Sequence, residues 1–229
     1  NGTLSGTLSN DDVGDHSITI TCTDAAGLNV SDTFVLTVVN VNDSPVISSG
    51  NSATVAENTD TSTVLYTATA TDIDVGDTIS YSLTGTDASK FAIDASTGVV
   101  TLNTAADFET QSSYSINVVA TDDSGVTATE SDTQAVTISV TDVNEAPEVS
   151  TPLADISLNQ GAVLDENLAA DFDDQDAGDS AVYTLVGAPS SLSMSSAGKL
   201  TGTLINADVG DHSITITCTD AAGLNVSDT

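Results

Sequence analysis

The stretch Asp12–Thr33, DVGDHSITITCTDAAGLNVSDT, occurs a second time, letter for letter, as Asp208–Thr229. The offset is 196 residues, and only five positions differ over the longer overlap of 1–33 with 197–229. This period is too long for a solenoid unit, which has about 20–50 residues. It fits two domains of about 100 residues each. The sequence therefore predicts an array of tandem domains, in which a two-domain unit recurs many times in the parent protein.

Apolar and polar residues alternate over many short segments, which is typical of β-strands. The clearest segments are STVLYTATATD (62–72), SYSINVVATD (113–122), QAVTISVTD (134–142) and HSITITCTD (16–24 and 212–220). Turn signals such as Ser-Thr-Gly, Ser-Ala-Gly and Asp-Val-Gly-Asp separate them. Short strands with a turn about every 8–12 residues predict an all-β chain of β-sandwiches. We expect the apolar side of each segment to face a core.

Acidic residues dominate the charge, with 34 Asp and Glu against 2 Lys and Arg, so the formal net charge is −32. The two cations are Lys90 and Lys199. A nucleic-acid partner is excluded, because phosphate binding needs clustered Lys and Arg. An anionic membrane surface would repel the chain. No apolar run reaches the 18 or so residues of a membrane span, so we predict no direct membrane insertion.

Cys22 and Cys218 occupy the same position of the repeat. Each domain of that type therefore has one cysteine, and no disulfide can form within it. Both cysteines lie on the same side of the strand as the isoleucines that precede them, and this side is expected to face the core. We predict that they are small buried apolar residues. An interchain bridge or a reactive thiol is the alternative.

The acidic residues gather at strand ends and linkers. The clusters contain Glu57, Asp72, Asp74, Asp107, Glu109, Asp122, Asp142, Asn144, Glu145, Asp174, Asp176 and Asp220. Carboxylate and amide oxygens without His or Cys suit Ca²⁺ rather than zinc or copper. Two carboxylates about 4 Å apart repel by roughly 1 kcal/mol in water and about 4 kcal/mol at an effective dielectric near 20, which favours a bound cation. The alternative is a solvated acidic surface, as in proteins from high salt.

These motifs carry a family resemblance. Residues 46–147 resemble a cadherin repeat, which has a lone N-terminal Glu, a D-x-D motif, a D-R-E motif, an A-x-D motif and a D-x-N-D-N-P linker. The matching residues are Glu57, Asp72, Asp74, Asp107-Phe108-Glu109, Asp122 and Asp142-Val143-Asn144-Glu145-Ala146-Pro147. Residues 1–44 and 148–229 are similar to the dystroglycan-type cadherin-like domain, on F-x-D-x-D at Phe172, then G-T-L, D-V-G-D-H-S-I-T-I and T-D-A-A-G.

The resemblance implies an all-β fold of tandem Ig-like, cadherin-like Greek-key β-sandwiches. It implies three domains. Residues 1–44 are the C-terminal part of a dystroglycan-type domain, 45–147 a complete cadherin-like domain, and 148–229 a dystroglycan-type domain that lacks its last strand.

The resemblance also implies Ca²⁺ sites at two junctions. The junction after residue 147 would use Glu57, Asp107, Glu109, Asp142, Asn144, Glu145, Asp174, Asp176 and Asp220. The junction near residue 43 would use Asn40, Asn42, Asp43, Asp72, Asp74 and Asp122. We expect fewer ions and weaker binding near residue 43, because Asn40 replaces the family's Asp and the upstream domain has no D-x-E motif.

Catalysis is not expected. In Asp15-His16-Ser17 the three residues are neighbours on a strand, so they alternate between faces and cannot converge as a triad. Asp107 and Glu109 could form a glycosidase-like carboxylate pair. However, Trp is absent and Tyr occurs only four times, so a sugar would have no aromatic platform.

The resemblance implies a mechanical and adhesive function. The chain would be a calcium-stiffened extracellular repeat segment of a large bacterial surface adhesin or fibre, with neighbouring repeats of the same chain as partners. Two alternatives stay open. One is a calcium-dependent carbohydrate-binding module pair that binds polysaccharide. The other is self-association into a fibre, in which donated strands complete residues 1–33 and 148–229.

Overall fold

Short β-strands make up the described parts of the chain, which are residues 2–123 and 130–229 of a computed structural model. The predicted all-β class is confirmed. The described helices are single 3₁₀ turns at Asn10–Asp12, Ala88–Lys90, Ala169–Asp171 and Asn206–Asp208. The chain divides into two compact units. The first contains residues 1–107 and 111–141, and the second contains Phe108–Thr110 and Asp142–Thr229.

The first unit contains eleven strands among its described residues. They are β1 (Gly14–Thr23), β2 (Asn29–Val38), β3 (Val46–Ile47), β4 (Ser52–Ala56), β5 (Tyr66–Thr67), β6 (Ala70–Thr71), β7 (Ser80–Thr84), β8 (Phe91–Ile93), β9 (Val99–Leu102), β10 (Ser113–Thr121) and β11 (Ser131–Thr141). One sheet has the order β4-β11-β10-β7, with β4 parallel to β11. The others are β5-β9-β8, the pair β3-β6 and the hairpin β1-β2.

The core of the first unit lies on one side of β10 and β11. Every second residue is buried along β10, and along β11 this holds from Val136 to Val140, as the alternation predicts. Ile116 pairs with Val136, and Tyr114 pairs with Ile138. Each fully buried aliphatic side chain stabilises the fold by about 1.5–3 kcal/mol. The ring of Phe91 on β8 packs edge-on against Tyr114 with centroids 5.3 Å apart, which joins the two larger sheets.

The second unit repeats this architecture with fewer strands. They are β12 (Glu148–Val149), β13 (Val163–Asn167), β14 (Phe172–Asp173), β15 (Val182–Val186), β16 (Leu192–Met194), β17 (Lys199–Thr203), β18 (Thr215–Thr219) and β19 (Asn225–Asp228). The sheets have the orders β13-β17-β16, β15-β18-β19 and β12-β14. Phe172, Tyr183, Ile216 and Cys218 form its buried cluster.

Glycines close the turns that the sequence marked. Gly98 and Gly198, which end the Ser-Thr-Gly and Ser-Ala-Gly signals, have φ of 70° and 80°. Glycine adopts this region without steric cost. A Cβ on Gly98 would also lie 2.4 Å from the carbonyl oxygen of Ala68. These two β-hairpin turns therefore require glycine.

The prediction for segment 62–72 is partly wrong. Tyr66 and Ala68 are buried, but Val64 is 55% exposed. The segment forms two separate short strands, β5 and β6, which pair with different partners. Val64 precedes β5 and lies outside the strand, whereas Tyr66, Ala68 and the half-buried Ala70 follow the predicted alternation.

The two copies of the repeat differ in burial, which corrects a second prediction. Cys218 is buried, as predicted, whereas Cys22 is exposed. Ile216 is 2% exposed, and its counterpart Ile20 is 54% exposed. The cover over Cys218 comes from Phe172 and Tyr183. Among the described residues, no equivalent pair covers the same face of β1-β2.

Candidate metal centres

Four carboxylates are buried among the residues that the structure describes. Glu57, Asp74, Asp122 and Asp220 have exposed fractions of 3%, 5%, 2% and 5%. Each belongs to the calcium ligand sets predicted from the sequence. A buried carboxylate is costly unless hydrogen bonds or a cation offset its lost hydration. In the described part of the chain the one ion pair formed by a lysine is Lys199 with Asp165, at 2.7 Å, and both residues are exposed.

Strand ends place these carboxylates. Glu57 directly follows β4, and its N–H donates to the carbonyl of Thr141 over 3.0 Å. Asn58 then turns the chain with a φ of 57°, a left-handed conformation that Asn tolerates. Asp122 follows β10, and Asp220 follows β18. The strands are fixed by their ladders, so these side chains begin from rigid positions.

Asp220 is held by the loop that it begins. Its Oδ1 accepts hydrogen bonds from the N–H groups of Gly223, at 2.5 Å, and Leu224, at 2.7 Å. The sequence T-D-A-A-G thus forms an Asx-type turn, for which Asp is well suited. Its second oxygen, Oδ2, accepts from Nδ2 of Asn144 over 2.8 Å. These hydrogen bonds, that of Asn144 most of all, lower the pKa of Asp220 and keep it ionised.

The linker of the second unit is tied to the D-x-D motif. The N–H of Glu145 donates to Oδ2 of Asp176 over 2.9 Å. The N–H of Asp176 in turn donates to Oδ1 of Asp174 over 3.0 Å. Together with the bond from Asn144 to Asp220, these contacts assemble predicted ligands from three separate stretches of sequence.

The first unit repeats the same network near residue 43. The N–H of Asp43 donates to Oδ2 of Asp74 over 2.7 Å, and the N–H of Asp74 donates to Oδ1 of Asp72 over 2.9 Å. Nδ2 of Asn42 donates to Oδ2 of Asp122 over 3.1 Å. The linkers 40–43 and 142–145 are therefore equivalent, residue by residue. Asn40, predicted as a ligand, is half-buried and makes no hydrogen bond with other described residues.

Carboxylate oxygens converge in four places. Ligand atoms lie within 4.8 Å of one another in Asp72, Asp74 and Asp77, in Asp174, Asp179 and Asp220, in Glu109, Asp142 and Asp176, and in the pair Glu57 and Asp107. All of these are hard oxygen donors, the type that Ca²⁺ binds. The sequence analysis missed Asp77 and Asp179. The third acid of the spacing D-x-D-x-G-D, present in both units, is the signal that could have found them.

Several converging oxygens point to a cation. Among the described residues, the buried Oδ2 atoms of Asp72 and Asp77 and the buried Oδ1 of Asp176 accept no hydrogen bond. Buried polar atoms are nearly always paired, so such atoms call for a further partner. The donor type and the spare acceptor atoms therefore fit Ca²⁺. Burial, followed by repulsion from Asp74, Asp72 and nearby acids, raises the pKa of Asp77.

Asn10 is a further residue of the first cluster that sequence reasoning missed. It begins the first 3₁₀ turn, and its Nδ2 donates to Oδ2 of Asp43 over 2.9 Å and to Oδ1 of Asp74 over 3.0 Å. Its counterpart in the repeat, Asn206, is exposed. The residues beside the two asparagines differ, with Ser9 and Asp11 next to Asn10 and with Ile205 and Ala207 next to Asn206.

The family comparisons agree with this geometry. The model of the Cadherin domain matches residues 51–141. The model described as Putative Ig domain matches residues 1–39 and 146–229, together more than half of the chain. The protein is therefore made of cadherin-like repeats. It belongs to the Putative Ig domain family over its two outer parts, which flank a segment matched by the cadherin domain.

Two curated relatives are protocadherins. The chain is 31% identical over 147 residues to Protocadherin Fat 1 of Homo sapiens, a match that covers 62% of this chain and 3% of the relative. It is 33% identical over 158 residues to Protocadherin-like wing polarity protein stan of Drosophila melanogaster, covering 64% of this chain and 4% of the relative. The chain thus spans only a small part of these relatives.

Solved cadherin structures share the fold. Mouse cadherin-23 EC22-24 superposes with a TM-score of 0.67 at 24% identity, over 97% of this chain and 75% of that one. A protocadherin structure, PcdhgB3 EC1-4, has a TM-score of 0.68 at 24% identity, over 98% of this chain and 58% of that one. At this level of identity the likeness shows the β-sandwich fold alone.

The matches confirm the predicted extracellular location, because cadherin domains belong to extracellular adhesion proteins. Cadherin domains bind Ca²⁺ at interdomain linkers and are structural rather than enzymatic, which is consistent with the absence of a predicted catalytic site. As for membrane crossing, the described residues contain no helix with the length and hydropathy of a membrane span.

Proposed function

We propose that this chain is a calcium-stiffened segment of an extracellular adhesion protein, in which neighbouring repeats are the first partners. One observation carries the proposal: the four buried carboxylates of the described chain are all predicted calcium ligands. Each lies at a strand end or in the D-x-D motif. A divalent cation would supply the positive charge that the sequence lacks.

The ligand sets follow the two linkers. In the second unit they are Glu109, Asp142, Asn144, Glu145, Asp174, Asp176 and Asp220, with Asp179 added from the structure. Near residue 43 they are Asn42, Asp43, Asp72, Asp74 and Asp122, with Asp77 added. Three further ligands remain predictions from the resemblance. They are Glu57 and Asp107 for the junction after residue 147, and Asn40 for the junction near residue 43. The same is true of the domain boundaries at 44/45 and 147/148.

Calcium would act by joining side chains that otherwise repel. When bound, the ion neutralises converging carboxylates and ties the linker to the D-x-D and T-D loops. The protein contributes rigid strand ends and hydrogen bonds that orient each carboxylate. It also contributes a linker N–H that donates to the second Asp of the D-x-D motif. Extracellular calcium modules bind with dissociation constants of roughly 10⁻⁴–10⁻³ M, so millimolar calcium suffices.

Calcium titration with paired variants tests this proposal. Isothermal calorimetry on chelator-stripped protein should show calcium binding, and Asp220→Asn should weaken it. Asp24→Asn is the matched control, because Asp24 is the exposed counterpart of Asp220 and holds a similar turn through the N–H groups of Ala26 and Leu28. Equal binding by both variants would contradict the assignment of Asp220.

The finer identity of the parent protein is also a proposal. We propose a bacterial surface adhesin or fibre, in which the outer parts are dystroglycan-type domains and no part is an enzyme. Polysaccharide binding has less support. The second unit has a shallow cleft of about 500 Å³. It is lined by residues 145–148, 173–175, 225 and 226. None of these described lining residues is aromatic, so a sugar ring would have no stacking partner.

Self-association by strand donation stays a second alternative from the sequence. Among the described residues the face of β1-β2 that carries Ile20 and Cys22 is exposed, whereas the identical residues Ile216 and Cys218 pack on Phe172 and Tyr183. A segment equivalent to residues 148–196 would fit this face, either from the same chain or from another copy. Exposed apolar strand faces are recurrent sites of such complementation.

Light scattering over a range of protein concentrations tests self-association. A molar mass that rises with concentration, together with loss of thiol labelling at Cys22, would support strand complementation. A constant monomer mass with Cys22 fully reactive would contradict it. Cys218 is the internal control, because burial raises the pKa of its thiol and shields it from the reagent.

A further inference from the structure

Asn10 in the first unit has the position that a carboxylate has in the second. Glu109 lies with Asp142 and Asp176 in one carboxylate cluster. Asp74 is the counterpart of Asp176, because each accepts a hydrogen bond from the linker N–H. The residue that contacts Asp74 from the upstream loop is Asn10. An amide thus stands where the second unit has a charged ligand.

The amide of Asn10 is used fully as a donor. An Asn side chain has two N–H bonds on Nδ2. One can point to Oδ2 of Asp43, at 2.9 Å, and the other to Oδ1 of Asp74, at 3.0 Å. Hydrogen bonds to charged acceptors are stronger than neutral ones. One neutral side chain therefore holds two carboxylates that would otherwise repel.

The linker near residue 43 also has an amide where the other linker has a carboxylate. Asn40 stands where the other linker has Asp142, since Asn42 and Asn144 make equivalent bonds to Asp122 and Asp220. The set of Glu109, Asp142 and Asp176 therefore has three carboxylates. The equivalent positions near residue 43 have two amides and one carboxylate, Asp74. Ligand charge sets calcium affinity in oxygen sites. The set of Glu109, Asp142 and Asp176 therefore needs a cation more than the equivalent positions near residue 43.

We propose that Asn10 is a positioning residue that cross-links Asp43 to Asp74 in place of a cation, so that the linker near residue 43 stays docked when calcium is removed. The inference deepens the proposed function and rests on it for the role of calcium. It makes the junctions of the array unequal: one would loosen on chelation, while the other would keep its linker in place. The device uses only a side chain that the structure shows in contact with both carboxylates.

Substitution of Asn10 tests the cross-link, and Asn206 provides the control at the equivalent position of the repeat, where Ile205 and Ala207 replace Ser9 and Asp11. In chelator, Asn10→Ala should lower the melting temperature of the first unit, whereas Asn206→Ala should leave that of the second unit, in which it lies, unchanged. In saturating calcium the loss caused by Asn10→Ala should shrink, because the ion takes over the neutralisation of Asp43 and Asp74. Loss of a merely structural contact would lower the melting temperature equally in both conditions, and that result would overturn the proposal.

Asn10→Asp is the second variant. It places three carboxylates together, so it should destabilise the first unit in chelator and raise the calcium affinity of that cluster, because affinity in oxygen sites rises with the number of charged ligands. Asn206→Asp should change neither quantity. If Asn10→Asp behaves like Asn206→Asp in both measurements, the proposal is wrong.

Different results would overturn the proposed function and the Asn10 cross-link. If the wild-type chain binds no calcium by calorimetry, the proposed function is overturned. The cross-link is read independently from the difference between Asn10→Ala and Asn206→Ala in chelator, and no difference there would overturn it alone.

Discussion

Nδ2 of Asn144 lies 2.8 Å from Oδ2 of Asp220 and donates a hydrogen bond to it. Asn42 makes the same contact with Asp122 over 3.1 Å. The second asparagine is 102 residues after the first, and the second aspartate is 98 residues after the first. Asp122 lies in the range matched by the Cadherin domain model, and Asp220 lies in a range matched by the Putative Ig domain model. A linker amide that orients a buried carboxylate at a strand end is thus the shared construction of both clusters.

Calcium should stabilise the protein through this construction. With dissociation constants of roughly 10⁻⁴–10⁻³ M, about 10 mM calcium adds about 1–3 kcal/mol per bound ion to the free energy of unfolding. Asp220→Asn should lose most of this gain in the second unit, because it removes the charge and sets two amide donors against each other. Asp24→Asn should keep the gain. The check is chemical denaturation of both variants with calcium and with chelator.

The core residues of the repeat should differ in their contributions to stability. Ile216→Ala should lower the free energy of unfolding of the second unit by about 2–5 kcal/mol, because it leaves a cavity. Ile20→Ala removes the same atoms from an exposed face and should cost at most about 1 kcal/mol in dilute protein. Urea denaturation of the two variants checks the difference. Equal losses in dilute protein would mean that the face of β1-β2 is covered in solution.

Gly98 should be more sensitive to substitution than a glycine in an open turn. Gly98→Ala forces a Cβ to within 2.4 Å of the Ala68 carbonyl at a positive φ, at a cost of about 2–4 kcal/mol. Gly27 also has a positive φ of 89°, but a Cβ there meets nothing within 4 Å. Gly27→Ala should therefore lower the melting temperature less. Similar melting temperatures of the two variants would contradict the packing described at β5 and β9.

The turn that Asp94 begins should respond to acid. Hydrogen bonds from Ser96, then from Thr97, lower the pKa of Asp94 from 3.8 to about 2. A lowered pKa in the fold means stability that is present above about pH 3.8 and lost as the pH falls towards 2. The stability difference between the wild-type protein and Asp94→Asn should therefore shrink over this range. An NMR titration that places the pKa of Asp94 at its ordinary value would refute the prediction.

Much of the fold follows from local pattern. Along β10 the alternation from Tyr114 to Ala120 predicts the buried side, because one register satisfies both the sheet and the core. Val64 fails this logic, since it lies before β5 begins and belongs to no strand. The exposure of Cys22 has another cause. Burial depends on residues far away in sequence, and identical stretches such as 12–33 and 208–229 meet different surroundings.

Part of the candidate site could also be predicted. Asp74, Asp122 and Asp220 follow from family motifs, and the structure finds each of them buried. Asp77 was missed although it extends a visible spacing. Asn10 could not be found, because its contacts depend on how its 3₁₀ turn approaches Asp43 and Asp74, which are 33 and 64 residues away in sequence.

The central claim is that calcium holds the linkers of this extracellular repeat segment, and calcium titration of the chelator-stripped chain tests it most directly. Calorimetry with a parallel thermal melt reports both stoichiometry and stabilisation. The account predicts binding of more than one calcium ion, with dissociation constants of roughly 10⁻⁴–10⁻³ M, and a clear rise in the melting temperature of the second unit. No heat of binding and an unchanged melting temperature in chelator would contradict it.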